Sequence, residues 1–214
     1  MSFAGVKAGT VTHLSGPLFV KKADKTTKAL SINSIVEDGD ILVTEKRTYA
    51  RIKFMDNGEI TLRPGSQLKI SNFHFDQAAP QKDSAVFDLV KGGIRSVTGL
   101  VGKRGNQNSY RMETPNAVCG VRGTTYECRI CEGNCGSIPN GMYLLVLDGI
   151  VNVSNKAGSQ NVLAGQYVYV QTSMAIPTIL PKDPGINFRP PPFPGVTTKE
   201  GEPKKNVDQG CIVR

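Results

Sequence analysis

The chain is dominated by short stretches in which apolar and polar residues alternate, separated by turns that contain glycine. Tyr49–Met55 alternates in this way, and Glu59–Arg63 does so again. Between them, Asp56-Asn57-Gly58 predicts a tight hairpin, because Asn and Gly adopt positive φ at little cost. Alternation with a period of two residues is typical of half-buried strands, so both stretches are predicted to be β-strands.

The same pattern recurs along most of the chain. It predicts further strands at Val11–Leu14, Leu18–Val20, Ile41–Val43, Leu68–Ile70, Phe87–Arg95, Tyr110–Glu113, Ala117–Arg129, Tyr143–Val153 and Gln160–Val170. No stretch has the period of a long helix, and we expect at most a helical turn or two between residues 75 and 100. Short strands at regular spacing predict an all-β fold of stacked strands and hairpins, either a β-sandwich or a β-helix-like arrangement.

The composition changes after residue 172. Most of the 13 prolines lie beyond this point, and proline cannot donate a hydrogen bond to a sheet. We therefore predict a β domain over residues 1–172 and an extended Pro-rich tail over residues 173–214. Such a tail is expected to bind its own domain or a neighbouring subunit. Its predicted contact residues are Arg189, Pro190, Pro191, Pro192, Phe193 and Pro194.

The charge and composition exclude several classes of protein. The net charge is +8, but the basic residues are scattered and are not interleaved with stacking aromatic residues, so no nucleic acid partner is expected. No apolar run approaches the ~20 residues of a membrane span. The basic surface is expected to be solvated; the alternative is that it binds an anionic glycan or peptidoglycan. The candidate residues for that alternative are Lys21, Lys22, Lys25 and Lys28.

Catalytic signatures are missing from the sequence. His13 and His74 are the only histidines, and neither a nucleophile elbow nor a phosphate loop is present. We therefore expect a non-enzymatic protein without a cofactor.

Five segments, in this order, resemble the FecR-domain family. They are Gly9–Gly16 with Leu18–Val20, Asp38–Thr44, Ala50–Gly58 with Ile60–Ser66, Thr114–Thr124, and Leu147–Val153 with Leu163–Val168. The resemblance implies an exported all-β domain outside the bacterial inner membrane, in the periplasm or the extracellular space. In the family's best-known members this domain relays a signal from an outer-membrane transporter to a sigma factor.

The segment Thr114–Thr124 is the most recognisable of these motifs. The residues that carry it are Thr114, Pro115, Gly120, Val121, Arg122, Gly123 and Thr124. The two glycines are expected where a Cβ would clash or where the chain turns. Arg122 is expected to be bonded to turn carbonyls or to a carboxylate such as Glu127 or Asp148. The alternative is that Arg122 binds a partner or an anion.

The chain has five cysteines. Cys119 lies inside the motif and is expected to be buried. Cys128, Cys131 and Cys135 begin a predicted insertion over residues 128–141, and Cys211 lies in the tail. In an oxidising compartment a disulfide is expected, with Cys128–Cys135, Cys131–Cys135 or a bond to Cys211 as the alternatives. A zinc site formed by Cys128, Cys131, Cys135 and Cys211 is the weaker alternative.

These observations lead to three functional hypotheses. The first is an exported scaffold that binds protein subunits, including copies of itself in a homo-oligomer, through sheet edges and the tail. The second is a signal-relay domain that assists an anti-sigma factor. The third is the glycan-binding module described above.

Overall fold

The computed structural model describes residues 5–104, 109–186 and 188, and nearly all of its regular structure is β-strand. The first eight strands are β1 (Lys7–Leu14), β2 (Leu18–Lys21), β3 (Thr27–Leu30), β4 (Ile35–Glu37), β5 (Ile41–Thr44), β6 (Ala50–Phe54), β7 (Glu59–Leu62) and β8 (Gln67–His74). The remaining seven are β9 (Ser84–Val97), β10 (Tyr110–Glu113), β11 (Val118–Cys131), β12 (Gly141–Asn155), β13 (Gly158–Leu163), β14 (Tyr167–Val170) and β15 (Thr178–Leu180). The predicted all-β class is confirmed.

One hydrogen-bonded sheet connects all of these strands. Its main path runs β15-β14-β12-β11-β10-β9-β7-β6-β1-β4, with β13 joined to β12 and a branch formed by β3, β2, β5 and β8 that returns to β9. The pair β9–β10 is parallel. The other recorded pairs are antiparallel, which favours layered hairpins over a parallel coil.

Three long strands allow this sheet to wrap around one core. β9, β11 and β12 span 14, 14 and 15 residues, and each pairs with different strands along its length. The buried apolar cluster draws on strands from β1 to β14. Within it, the ring of Phe54 lies 4.9 Å from that of Phe87 and 5.3 Å from that of Phe73.

The family motif forms a β-bulge in β11. Arg122 pairs with Ile150 and Thr125 pairs with Asp148, so two residues of β11, Gly123 and Thr124, face the single Gly149 of β12. The extra residue changes which side chains point inwards. Cys119 and Val121 are buried before the bulge, whereas Tyr126, Cys128 and Ile130 are buried after it. Successive side chains of a strand point to opposite faces, so without the extra residue the positions buried on one side of the bulge would be exposed.

Thr124 fixes the position of this bulge. Its hydroxyl donates to the carbonyl oxygens of Arg122 and Ile150, both at 3.0 Å, and its amide donates to the hydroxyl of Thr98 at 2.8 Å. The motif therefore ties β11 to β12 and to the segment that follows β9.

The predicted hairpin at Asp56-Asn57-Gly58 is confirmed and joins β6 to β7. Asn57 has a φ of +65°. The buried carboxylate of Asp56 accepts the amides of Gly58 at 2.9 Å and Val101 at 3.2 Å. Residues 98–101 are thereby held against the hairpin. The expected helical turn between residues 75 and 100 is a single 3₁₀ turn at Pro80–Lys82.

The sheet continues past the predicted domain boundary at residue 172. β15 pairs with β14 at its edge, which is a position that proline-rich sequence tolerates. Ile186 and Phe188 are also buried, at 2% and 7% exposure. In the described part of the chain, no helix has the length and apolar character required to cross a bilayer.

Candidate functional site

The outer face of the motif carries a row of three exposed side chains, Arg122, Ile150 and Leu163. We call these residues the motif row. Arg122 of β11 is opposite Ile150 of β12, which is opposite Leu163 of β13. Directly opposed residues in antiparallel strands have Cβ atoms about 4.5–5.5 Å apart, so the three side chains form one contiguous patch. Ile150 is 50% exposed and Leu163 48%.

The expected pairing of Arg122 with Glu127 or Asp148 is not observed. Arg122 is exposed, and within residues 5–104, 109–186 and 188 its side chain makes no hydrogen bond or ion pair. Glu127 lies beyond the bulge, opposite Arg95 on β9, and Asp148 lies opposite Thr125. The bulge separates the guanidinium from both carboxylates. Arg122 is therefore exposed, and its binding of a partner or an anion stays a prediction.

A second surface lies further along β11, where the chain crosses its own sheet. Residues 183–186 and 188 leave the edge strand β15 and pass over β14, β12 and β11 towards β7; we call this segment the strap. The guanidinium of Arg63 donates to the carbonyl of Ile186 at 3.1 Å. It also lies 5.3 Å from the centre of the Phe188 ring. The backbone of Phe188 lies near the Glu127 carboxyl and acts to lower its pKa, after the stronger effects of burial and Arg95.

The strap covers a small apolar cluster outside the main core. Ile186 is buried there with Cys131 and Tyr143, and Ile138 and Tyr167 pack around them. The Phe188 ring meets that of Tyr49 edge to face, with 6.0 Å between centres. Glu127 beside the strap is buried, and desolvation raises the pKa of its carboxyl despite the opposing effect of Arg95.

The surroundings of the strap are predominantly basic. Burial, followed by the nearby Arg129 guanidinium, lowers the pKa of Arg63. Burial also lowers the pKa of Arg129. Glu127 supplies a balancing negative charge, and the hydroxyl of Tyr167 interacts with the Asp183 carboxylate on the strap.

The cysteine-rich segment contains a disulfide between Cys131 and Cys135. Of the three predicted pairings, this is the one the structure contains, and pairing of Cys128 with Cys135 is wrong. Cys128 and Cys119 are free thiols buried in the core. Because β11 extends to Cys131, the loop begins at Glu132 rather than at residue 128. Cys211 lies outside the described residues.

The predicted zinc ligands are not assembled by this arrangement. A bridged sulfur is not a thiolate, so Cys131 and Cys135 cannot bind zinc while they form the disulfide. The Cys128 side chain faces the core, on the opposite side of β11 from Cys131. Among the described residues, no group of three His, Cys, Asp or Glu side chains is placed to hold a metal.

The basic loop predicted as a glycan site contains one structural lysine. The Nζ of Lys22 lies 2.7 Å from a carboxylate oxygen of Glu37 and 2.9 Å from one of Asp40. Lys21, Lys25 and Lys28 are exposed. The tail residues Arg189, Pro190, Pro191, Pro192, Phe193 and Pro194 lie outside the described residues.

Sequence reasoning missed both the motif row and the strap. Ile150 and Leu163 look like ordinary strand residues, and only the strand register places them beside Arg122. Ile186 and Phe188 do carry a signal, because they are apolar residues two positions apart in an otherwise polar, proline-rich segment.

Comparisons with known proteins agree with the fold. A family model described as FecR protein matches residues 40–152, which is more than half of the chain. No curated protein matches the chain. The resemblance inferred from the motifs is thereby confirmed.

Two solved structures have a similar fold. Both are crystal structures of a candidate anti-sigma factor from Parabacteroides distasonis ATCC 8503, at 1.65 Å and 2.50 Å resolution, and each has a TM-score of 0.50. Their sequence identities to this chain are 10% and 11%. The similarity covers 65% of this chain and 58% of each of theirs. The chain thus spans less than two thirds of their length, and at this identity the likeness concerns the fold.

Proposed function

Because the chain belongs to the FecR protein family, we propose that it is a non-enzymatic regulatory domain that relays a signal by binding another protein. The family is regulatory rather than catalytic. The anti-sigma factor description of the similar structures supports this relay function over the scaffold hypothesis that came first from the sequence. We further propose that the domain acts in the cell envelope, outside the inner membrane, and without a cofactor.

The motif row is the observation that carries this proposal. It places the guanidinium of Arg122, a permanent cation with five hydrogen-bond donors, beside the exposed aliphatic side chains of Ile150 and Leu163. Arginine is enriched at the centres of protein interfaces, and exposed apolar patches on soluble domains often mark interaction sites. In addition, β13 is hydrogen-bonded only to β12 among the described strands. Its other edge is open to an added strand from a partner.

A genetic experiment tests the relay function. The chromosomal gene is replaced in its native host by a deletion, by the double variant Arg122→Glu/Ile150→Asp, or by the control variant Lys28→Glu, and transcripts are measured. We expect the double variant to reproduce the transcript changes of the deletion, because a reversed charge and a buried carboxylate disrupt the same contact. Lys28→Glu, on the distant strand β3, should match the wild type.

Two results would contradict the proposal. A deletion strain with an unaltered transcript profile would exclude a regulatory role. A double variant that is folded, as judged by circular dichroism, and behaves like the wild type would exclude the motif row as the contact surface. Purified variants should differ from the wild type by less than about 0.5 kcal/mol in unfolding free energy, because exposed substitutions seldom affect stability.

A further inference from the structure

The strap is held by the kind of contacts that hold a bound peptide. The carbonyl of Ile186 accepts from Arg63 at 3.1 Å, and the Phe188 backbone lies near enough to the Glu127 carboxyl to act on its pKa. The Arg63 bond holds the backbone of the strap at Ile186. Two side-chain anchors, Ile186 and Phe188, then fill separate positions and leave only 2% and 7% of their surface exposed.

The surface beneath the strap is built from rigid parts of the domain. Tyr143 of β12 is opposite Arg129, and Cys131 lies two residues further along β11, so the two side chains are diagonal neighbours on one face. Their exposures are 0% for Cys131 and 3% for Tyr143. The Cys131–Cys135 disulfide closes the loop beside them. We call this surface the strap groove and define it by Arg63, Glu127, Cys131, Tyr143 and Tyr167.

The connection between the strap and the sheet favours exchange. Leu180 ends β15, Pro181 and Lys182 form the hinge, and Pro184 is the second residue of the strap. Proline fixes φ, so this hinge has few conformations. Short, stiff hinges disfavour closure onto the same molecule and promote the swapping of terminal elements between copies. Among the described residues, the chain after the hinge forms no further strand that would have to be undone.

We propose that the strap groove is a binding site for an extended Ile-x-Phe segment, and that the strap of a second copy of this chain occupies it in exchange for the chain's own. Every contact named above is available to the strap of another molecule, because the sequences are identical. The closed monomer and the exchanged dimer bury the same contacts, so the equilibrium between them depends on protein concentration and on the hinge. The strap groove lies beyond the bulge from the motif row, so this proposal does not depend on the proposed relay function.

Hinge shortening in the full chain tests the exchange. Pro181 and Lys182 are both exposed, and deleting them shortens the hinge by roughly 7 Å. The strap of the shortened chain no longer reaches its own groove in register, whereas it still reaches that of another molecule. We expect light scattering to show a dimer whose share rises with concentration. Adding Phe188→Ala should return the shortened chain to a monomer. A folded, shortened chain that stays monomeric at every concentration would overturn the proposal.

A peptide measurement decides the matter if the shortened chain does not fold. The probe is a fluorescent synthetic peptide with the sequence of residues 183–194, added to the full chain carrying Phe188→Ala, whose own strap has lost an anchor. We expect this variant to bind the peptide at least about 10-fold more tightly than the wild type, because the cis strap competes at a millimolar effective concentration. Adding Arg63→Ala to this variant should abolish its tighter binding of the peptide. Equal affinity of the wild type and Phe188→Ala, or no binding to either, would overturn the proposal.

Discussion

Gly149 packs against the backbone of Gly123, and a Cβ atom placed on Gly149 would lie 3.0 Å from the carbonyl oxygen of Gly123. It would also lie 2.9 Å from the hydroxyl of Thr124. Gly149 and Gly123 both have positive φ, +83° and +61°. The two glycines thus bend β11 and β12 at the same point. The family motif therefore has a structural role in addition to presenting the exposed Arg122.

Substitution of Gly149 tests this role. Gly149→Ala should lower the free energy of unfolding by about 2–4 kcal/mol, because it combines an unfavourable φ with a contact that the backbone cannot relieve. Gly165→Ala is the matched control, since Gly165 has a similar φ of +82° with no atom within 4 Å of the added Cβ. The free energy of unfolding of Gly165→Ala should fall by only about 1 kcal/mol. Urea denaturation followed by circular dichroism measures both, and equal losses would contradict a close approach at the bulge.

The hairpins and strands were predictable because their signals are local. Asp56-Asn57-Gly58 specifies its turn through the φ preferences of three adjacent residues. The bulge was harder to predict, although β11 contains its signature. The buried positions are odd-numbered at Cys119 and Val121 and even-numbered at Tyr126 and Cys128. Such a change of parity within one strand indicates an inserted residue.

The candidate surfaces could not be derived from the sequence for a different reason. Arg122 has carboxylates nearby in sequence, which suggested an internal ion pair, but the bulge and the strand register decide which side chains meet. The strap depends on contacts between residues as distant as Arg63 and Ile186, separated by 123 positions. No local pattern encodes such a pairing.

The buried carboxylate of Asp40 provides a second test of the fold. Asp40 is 1% exposed and accepts from Lys22 and from the amide of Glu37, the latter at 2.8 Å. Lys22→Met leaves that carboxylate without its cation and should destabilise the protein by about 2–3 kcal/mol, measured by urea denaturation. The exposed Lys28→Met should change stability by less than about 0.5 kcal/mol.

The comparison of these two lysine variants also bears on glycan binding. If Lys22→Met and Lys28→Met were equally harmless, the ion pairs of Lys22 would not contribute to folding. If Lys22 is structural, as we expect, a test of the basic loop must use the exposed Lys21, Lys25 and Lys28, because loss of binding by a Lys22 variant would reflect unfolding.

The free thiols should be protected in the folded protein. Cys119 and Cys128 are 0% and 1% exposed, and burial raises the pKa of both, that of Cys119 to about 12. In a Cys211→Ser variant, we expect no rapid reaction with a thiol reagent in native buffer. Two thiols should react in denaturant, and four after reduction, because the Cys131–Cys135 disulfide then opens. Rapid labelling of a thiol in native buffer would contradict the buried arrangement.

The buried carboxyl of Glu127 should make stability depend on pH. Burial raises the pKa of this carboxyl above its usual 4.5, so the folded protein binds its proton more tightly than the unfolded chain does. Between 4.5 and the raised value, the unfolding free energy of the wild type should therefore increase as the pH falls, relative to Glu127→Gln, which cannot titrate there. The buried Asp56, whose pKa is also raised, titrates in both proteins and cancels in the difference. Urea denaturation at intervals from pH 4 to pH 7 measures this difference. A difference that shrinks as the pH falls would show that Arg95 and Arg63 outweigh burial and hold the pKa of Glu127 below 4.5 instead.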